Sequence, residues 1–96
     1  MAKAYWVVTY RKINDAGRLG EYGKLAGPAV AAGGGRTLVR GNAAFAYEVG
    51  LTERVVLIEF DSYDQALATF NSDAYKAALA VFDLAAERDF RIVEGL

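Results

Sequence analysis

The chain contains no cysteine and no histidine. Without cysteine there is no disulfide framework, thiolate nucleophile or thiolate metal site. The missing histidine removes more: the commonest general base, the usual haem and zinc ligand, and the side chain that switches charge near neutral pH. No phosphate-binding loop is apparent either, so no cofactor (metal, haem or flavin) is expected, although carboxylate-only sites for hard cations stay open. Charge of one sign is also lacking, with 11 basic and 12 acidic residues and a net charge of −1. No basic stripe offers the phosphate attraction that dominates nucleic-acid binding. Charges do not segregate as on membrane-surface helices, and no apolar run is long enough to span a bilayer. Met1-Ala2-Lys3-Ala4 leads straight into a strand pattern without a secretory h-region or cleavage site. The expected partners thus include neither nucleic acid nor membrane, and the expected location is cytoplasmic.

What is present is apolar: 54% of the 96 residues are hydrophobic. A chain of this length reads as one domain, residues 1–96, burying roughly 60–65% of its unfolded surface. Ala4 to Ile13 is rich in β-branched and aromatic residues and reads as a strand. Asn14-Asp15 offers a turn and an N-cap, and Leu19, Tyr22, Leu25, Ala26, Ala29 and Val30 recur at helical spacing up to about Ala32. That helix is weak by propensity, because Gly17, Gly20, Gly23 and Gly27 each lose up to ~1 kcal/mol against alanine and Pro28 lacks a donor. The pattern predicts a kink near Gly27-Pro28, close packing of the glycine face against a neighbour, and a stop at Gly33-Gly34-Gly35.

Arg36 to Arg40 reads as a short strand, broken by a bulge at Gly41-Asn42 and resumed from Ala43 to Val49. Gly50 to Glu53 reads as a hairpin loop, and Arg54 to Phe60 is the clearest strand of the chain. Ser62 and Gln65 have capping-box spacing ahead of a helix to about Phe70, and Ser72 can cap another carrying Tyr75, Ala78, Leu79 and Phe82. Glu87 to Gly95 closes the chain as a strand. The order is βαββαβ, which short connections and the right-handed crossover rule fold into an α+β ferredoxin-like domain. Its four-stranded antiparallel sheet has order 4-1-3-2, with the helices on one face. The other face would be open, yet Val55-Val56-Leu57-Ile58 is apolar on both sides, and so are Tyr5 to Val8. A second copy of the sheet is the simplest cover, giving a homodimeric α/β barrel.

Several separated motifs carry a family resemblance. They include Ala4-Tyr5-Trp6-Val7-Val8, Gly27-Pro28-Ala29 with Tyr22, Gly34-Gly35-Arg36 and Leu38-Val39-Arg40-Gly41. Arg54-Val55-Val56 with Ile58-Glu59-Phe60, Ser62-Tyr63, Ala66-Leu67-Ala68, Ser72 with Tyr75, and Ile92-Val93-Glu94-Gly95 continue it in order. Over nearly its whole length the chain resembles the domain-of-unknown-function family 1330, small and mostly bacterial proteins of the dimeric α/β-barrel superfamily. The resemblance implies the fold and the homodimer, and no activity.

Candidate sites are few. The triple glycine leaves a helix and enters a strand, the reverse of a phosphate cradle, and reads as a helix stop. The pairs Asp61/Asp64 and Glu87/Asp89 lie at helix ends or turns, where caps and solvated charges explain them. Glu59 stands in the most apolar strand and Arg40 beside Leu38 and Val39, so the two are expected to share a polar spot within an apolar cavity, the alternative being a structural ion pair or a charge near the strand end that reaches water. Tyr5 and Thr9 alternate onto one face and would add hydroxyls to that cavity. The ligand-binding candidates are therefore Tyr5, Thr9, Arg40 and Glu59. Two functions fit: binding of a small organic molecule, with or without cofactor-free isomerase, lyase or monooxygenase chemistry, or a non-catalytic homodimeric scaffold with a packed barrel. An open pocket separates the first from the second.

Overall fold

The computed structural model of the chain describes residues 2–96. Its elements run β1 (Ala4–Ile13), α1 (Ala16–Ala32), β2 (Arg36–Asn42), β3 (Arg54–Phe60), α2 (Tyr63–Phe70), α3 (Asp73–Phe82) and β4 (Ala86–Glu94). The strands form one antiparallel sheet of order β2-β3-β1-β4, the 4-1-3-2 order of the ferredoxin-like fold. No helix among the described residues is long and apolar enough to cross a membrane.

Each helix begins on a side chain that accepts a hydrogen bond from an otherwise unpaired amide. Asp15 accepts from the Arg18 amide, Ser62 from that of Gln65 and Ser72 from that of Tyr75. The Gln65 side chain does not return to complete a capping box. Its Nε2 donates to the Gly33 carbonyl at 2.7 Å instead, tying α2 to the end of α1. The helix stop at Gly33 to Gly35 is real and tightly packed. A Cβ on Gly33 would overlap Thr69, and one on Gly35 would lie 2.6 Å from Val30 Cγ1 and 2.9 Å from the Phe60 ring.

The core lies between the helices and one face of the sheet, where Ala4, Trp6, Val8 and Tyr10 of β1 alternate inward. Trp6 is 1% exposed, donates its indole N–H to the Ala66 carbonyl at 3.1 Å, and packs on Phe60, Phe70, Tyr75 and Phe90. Such a ring cluster adds edge and offset contacts to the burial itself. The opposite face carries Tyr5, Val7, Val55 and Leu57 at half burial, with exposed Val39 and Val93 beside them.

Three sequence expectations about the elements fail. No strand resumes after Asn42; residues 43–53 form a loop, closed where the Ala43 amide donates to the Glu53 carbonyl at 3.2 Å. Three alanines give the segment little β preference, and Glu48, at φ 53°, turns the chain before it could extend. The β2 irregularity also lies elsewhere, at Leu38 between Thr37 and Val39, not at Gly41-Asn42. The glycine face of α1 is the third failure. A Cβ at Gly20, Gly23 or Gly27 would meet nothing within 4 Å, so these glycines face space rather than a neighbour.

Candidate functional site

The space beside those glycines is a pocket of about 110 Å³ between α1 and the inner face of the sheet. Its floor is apolar, built from Trp6, Val8, Val30, Val56, Ile58 and Phe90. Gly23 and Gly27 line its helical wall, and Arg40, Arg54 and Arg88 supply its charged groups. Toward solvent it widens into a shallow depression bordered by Gly20, Gly23, Arg40, Asn42 and Arg54.

Strand register explains why these arginines converge. Arg88 faces Tyr10 across β4 and β1, Arg54 starts β3 opposite Asn42, and Arg40 lies opposite Val56. Antiparallel partners point to the same face, and Tyr10 and Val56 both belong to the helix side of the sheet. Arg88 is half-buried in a cage of rings, its Cζ 4.1 Å from the Phe82 centroid and 5.1 Å from that of Tyr22. It donates to the Tyr22 hydroxyl at 3.2 Å, the Tyr10 hydroxyl at 3.3 Å and, weakly, the Tyr75 hydroxyl at 3.5 Å. Tyr22 and Tyr75 share a hydrogen bond of 2.6 Å.

Burial disfavours the Arg88 charge, but the surrounding tyrosine oxygens outweigh it and hold the guanidinium protonated beyond its ordinary range. Burial likewise pushes the Tyr75 hydroxyl far above its usual value and raises that of Tyr10. Arg54 stands 5.8 Å from the centroid of the Tyr10 ring, the same separation as Arg88. Among the described residues, Arg18, Arg36 and Arg91 each have a carboxylate within 4 Å, whereas Arg40, Arg54 and Arg88 have none.

The four residues singled out from the sequence do not share a cavity. Tyr5 and Glu59 do meet: the Tyr5 hydroxyl donates to Glu59 at 3.0 Å on the open face. Thr9 lies on that face too, but four residues along β1, about 13 Å away at the strand rise, where it borders a depression under the 43–53 loop. Arg40 is on the other side of the sheet, so the Arg40–Glu59 pair does not exist. The extra residue at Leu38 inverts the alternation of β2, and Arg36 takes the place beside Glu59 at 3.1 Å. Arg36 also reaches Asp61 at 3.0 Å. Hydrogen bonding from Tyr5, then from Arg36, holds the Glu59 carboxyl below its ordinary range. Sequence reading missed Arg54, Arg88 and the open glycine face; the one available signal was a glycine-rich helix face with no partner of its own.

The domain of unknown function DUF1330 matches residues 3–96. The chain belongs to that family. No curated protein matches it. Among solved structures, the family member is similar to RPA0582 of Rhodopseudomonas palustris, a protein of unknown function. The identity is 16% and the TM-score 0.77, covering 99% of this chain and 83% of the other. A dimeric ferredoxin-like protein of unknown function from Thermobifida fusca is 16% identical, with TM-score 0.67 over 98% and 92% of the two chains. A candidate antibiotic biosynthesis monooxygenase from Caulobacter crescentus is 17% identical, with TM-score 0.63 over 99% and 91%. At such identities these likenesses establish the fold alone.

Proposed function

We propose that this DUF1330 domain is a homodimeric small-molecule-binding protein whose ligand enters the pocket between α1 and the sheet. The observation that carries this reading is the glycine-lined opening itself. Gly23 and Gly27 weaken the helix, no contact within the chain requires them, and they border a void that reaches Trp6. A packed scaffold would gain stability by filling that space.

Binding is favoured over acid–base catalysis by the groups present. No carboxylate lines the pocket, and burial raises the pKa of its Tyr10 hydroxyl still further from neutral pH. The dimer is supported by the half-buried apolar residues of the open face and by the dimeric Thermobifida fusca relative. Its rim carries the pairs Arg36–Glu59 and Arg91–Asp89, opposite charges that a two-fold axis can bring together. Tyr5, Thr9 and Glu59 then belong to the subunit interface, and Arg40 to the ligand site.

Fragment screening by two-dimensional NMR on the intact protein tests the reading. Shift changes should cluster at Val8, Val30 and Ile58, and Gly23→Leu should abolish them while leaving the protein folded. Shifts confined to the open face, or indifferent to Gly23→Leu, would overturn it.

A further inference from the structure

Resting on that pocket reading, we infer that the ligand is an organic monocarboxylate with a compact apolar body, its carboxylate held by Arg54 and Arg88 with Arg40 at the mouth. The charge arrangement has no internal explanation. In a chain of net charge −1, three guanidiniums gather on one pocket without a single carboxylate, while the arginines Arg18, Arg36 and Arg91 are paired. Two of them, Arg54 and Arg88, stand at 5.8 Å from the same tyrosine ring and line the same pocket, with no carboxylate within 4 Å of either among the described residues. Ring faces and hydroxyls stabilise Arg88, but they cannot neutralise it. An anion at this point would.

The shape of the pocket narrows the anion. A bare phosphate would meet the cations but leave the floor of Trp6, Val8 and Ile58 uncovered. An apolar molecule without charge would cover the floor and leave the cations unmatched. A carboxylate satisfies both, because the guanidinium fork fits its two oxygens and the remainder of the molecule can lie inward. The inner volume, about 110 Å³, is somewhat smaller than an engineered cavity that holds benzene, and it opens outward past Gly23. A single ring or a chain of roughly six carbons fits that space.

Calorimetric titration of the intact protein with benzoate, hexanoate, benzyl alcohol and inorganic phosphate tests the inference. Benzoate or hexanoate should bind at least about tenfold more tightly than benzyl alcohol. Arg54→Gln, at a half-buried position, and Arg40→Gln, at an exposed one, should each weaken the carboxylates several-fold and leave benzyl alcohol unchanged. Arg88→Met should abolish carboxylate binding; if it unfolds the protein, the Arg54 and Arg40 variants decide the matter. Equal affinity for benzoate and benzyl alcohol would overturn the carboxylate and keep the pocket. Phosphate binding as tightly as benzoate would overturn the apolar body. Failure of all four probes, together with a silent fragment screen, would remove the pocket reading as well.

Discussion

Replacing Gly20, Gly23 and Gly27 with alanine should stabilise the protein, against the usual direction of a substitution in a folded helix. In a helix interior glycine is about 0.8–1 kcal/mol less favourable than alanine, because its backbone loses more freedom on folding. That gain is realised only where the new methyl group meets nothing, and at these three positions an added Cβ has no heavy atom within 4 Å. Three substitutions should therefore add about 2.5 kcal/mol. For a domain of this size that raises Tm by about 10–20 °C. Gly35→Ala is the control from the same region: its methyl would sit 2.6 Å from Val30 and 2.9 Å from Phe60, and it should destabilise. Urea titration at one fixed protein concentration measures both, since dissociation of the proposed dimer would make apparent stability concentration-dependent. Loss of more than about 1 kcal/mol in the triple variant would refute the reasoning, and a loss that grows on dilution would place the glycine face against a second copy.

Leu57→Glu puts a charge on the open face without touching the monomer core, so light scattering should show the mass halved with the circular dichroism unchanged; a variant still dimeric would remove that face from the interface. Trp6→Ala deletes the centre of the ring cluster and should cost about 3–5 kcal/mol, measured by urea unfolding. Trp6→Phe should cost less, the Ala66 carbonyl losing its donor. Glu59 has a folded-state pKa below its ordinary value of 4.5, so its stabilising contribution is complete above that pH and lost as pH falls through the folded value. Wild type should therefore lose stability on acidification faster than Glu59→Gln; parallel acid-unfolding curves would contradict it. A double-mutant cycle between Arg40 and Glu59 should give coupling below about 0.5 kcal/mol, because the sheet separates them.

The fold was legible because several independent signals agreed. Strand composition marked Ala4–Ile13 and Arg54–Phe60, caps marked the three helix starts, and two-sided hydrophobicity in β3 identified a sheet with a second face to cover. The strand expected over 43–49 is absent, although Phe45, Tyr47 and Val49 alternate like one. In the structure Phe45 is 79% exposed and Val49 86%, with no neighbouring strand to pair with. Alternation reports a face only when a partner exists. Most of the site was invisible for a related reason. Arg88 is separated by 34 positions from Arg54 and by 66 from Tyr22, and nothing local marks any of them as neighbours.

The division between Arg36 and Arg40 turns on one residue. In an unbroken strand, positions 36, 38 and 40 share a face, and both arginines would have lain on the open face with Glu59, Arg40 opposite Val55. Leu38 is inserted between Thr37, opposite Ile58, and Val39, opposite Leu57, so alternation restarts out of phase. Arg36 keeps the open face and meets Glu59 and Asp61, while Arg40 passes to the helix side and is left without a carboxylate. Pattern reading cannot see this change of phase. β2 is an edge strand exposed along its whole length, and Thr37, Leu38 and Val39 suit either face. The same insertion that hides the site also completes it. Had Arg40 stayed on the open face, the mouth of the pocket would hold one cation fewer, with Arg54 and Lys24 left beside the glycine face. With the bulge, Glu59 and Asp89 keep arginine partners on the face assigned to the second copy, and the unpaired Arg40, Arg54 and Arg88 gather on the face that admits a ligand.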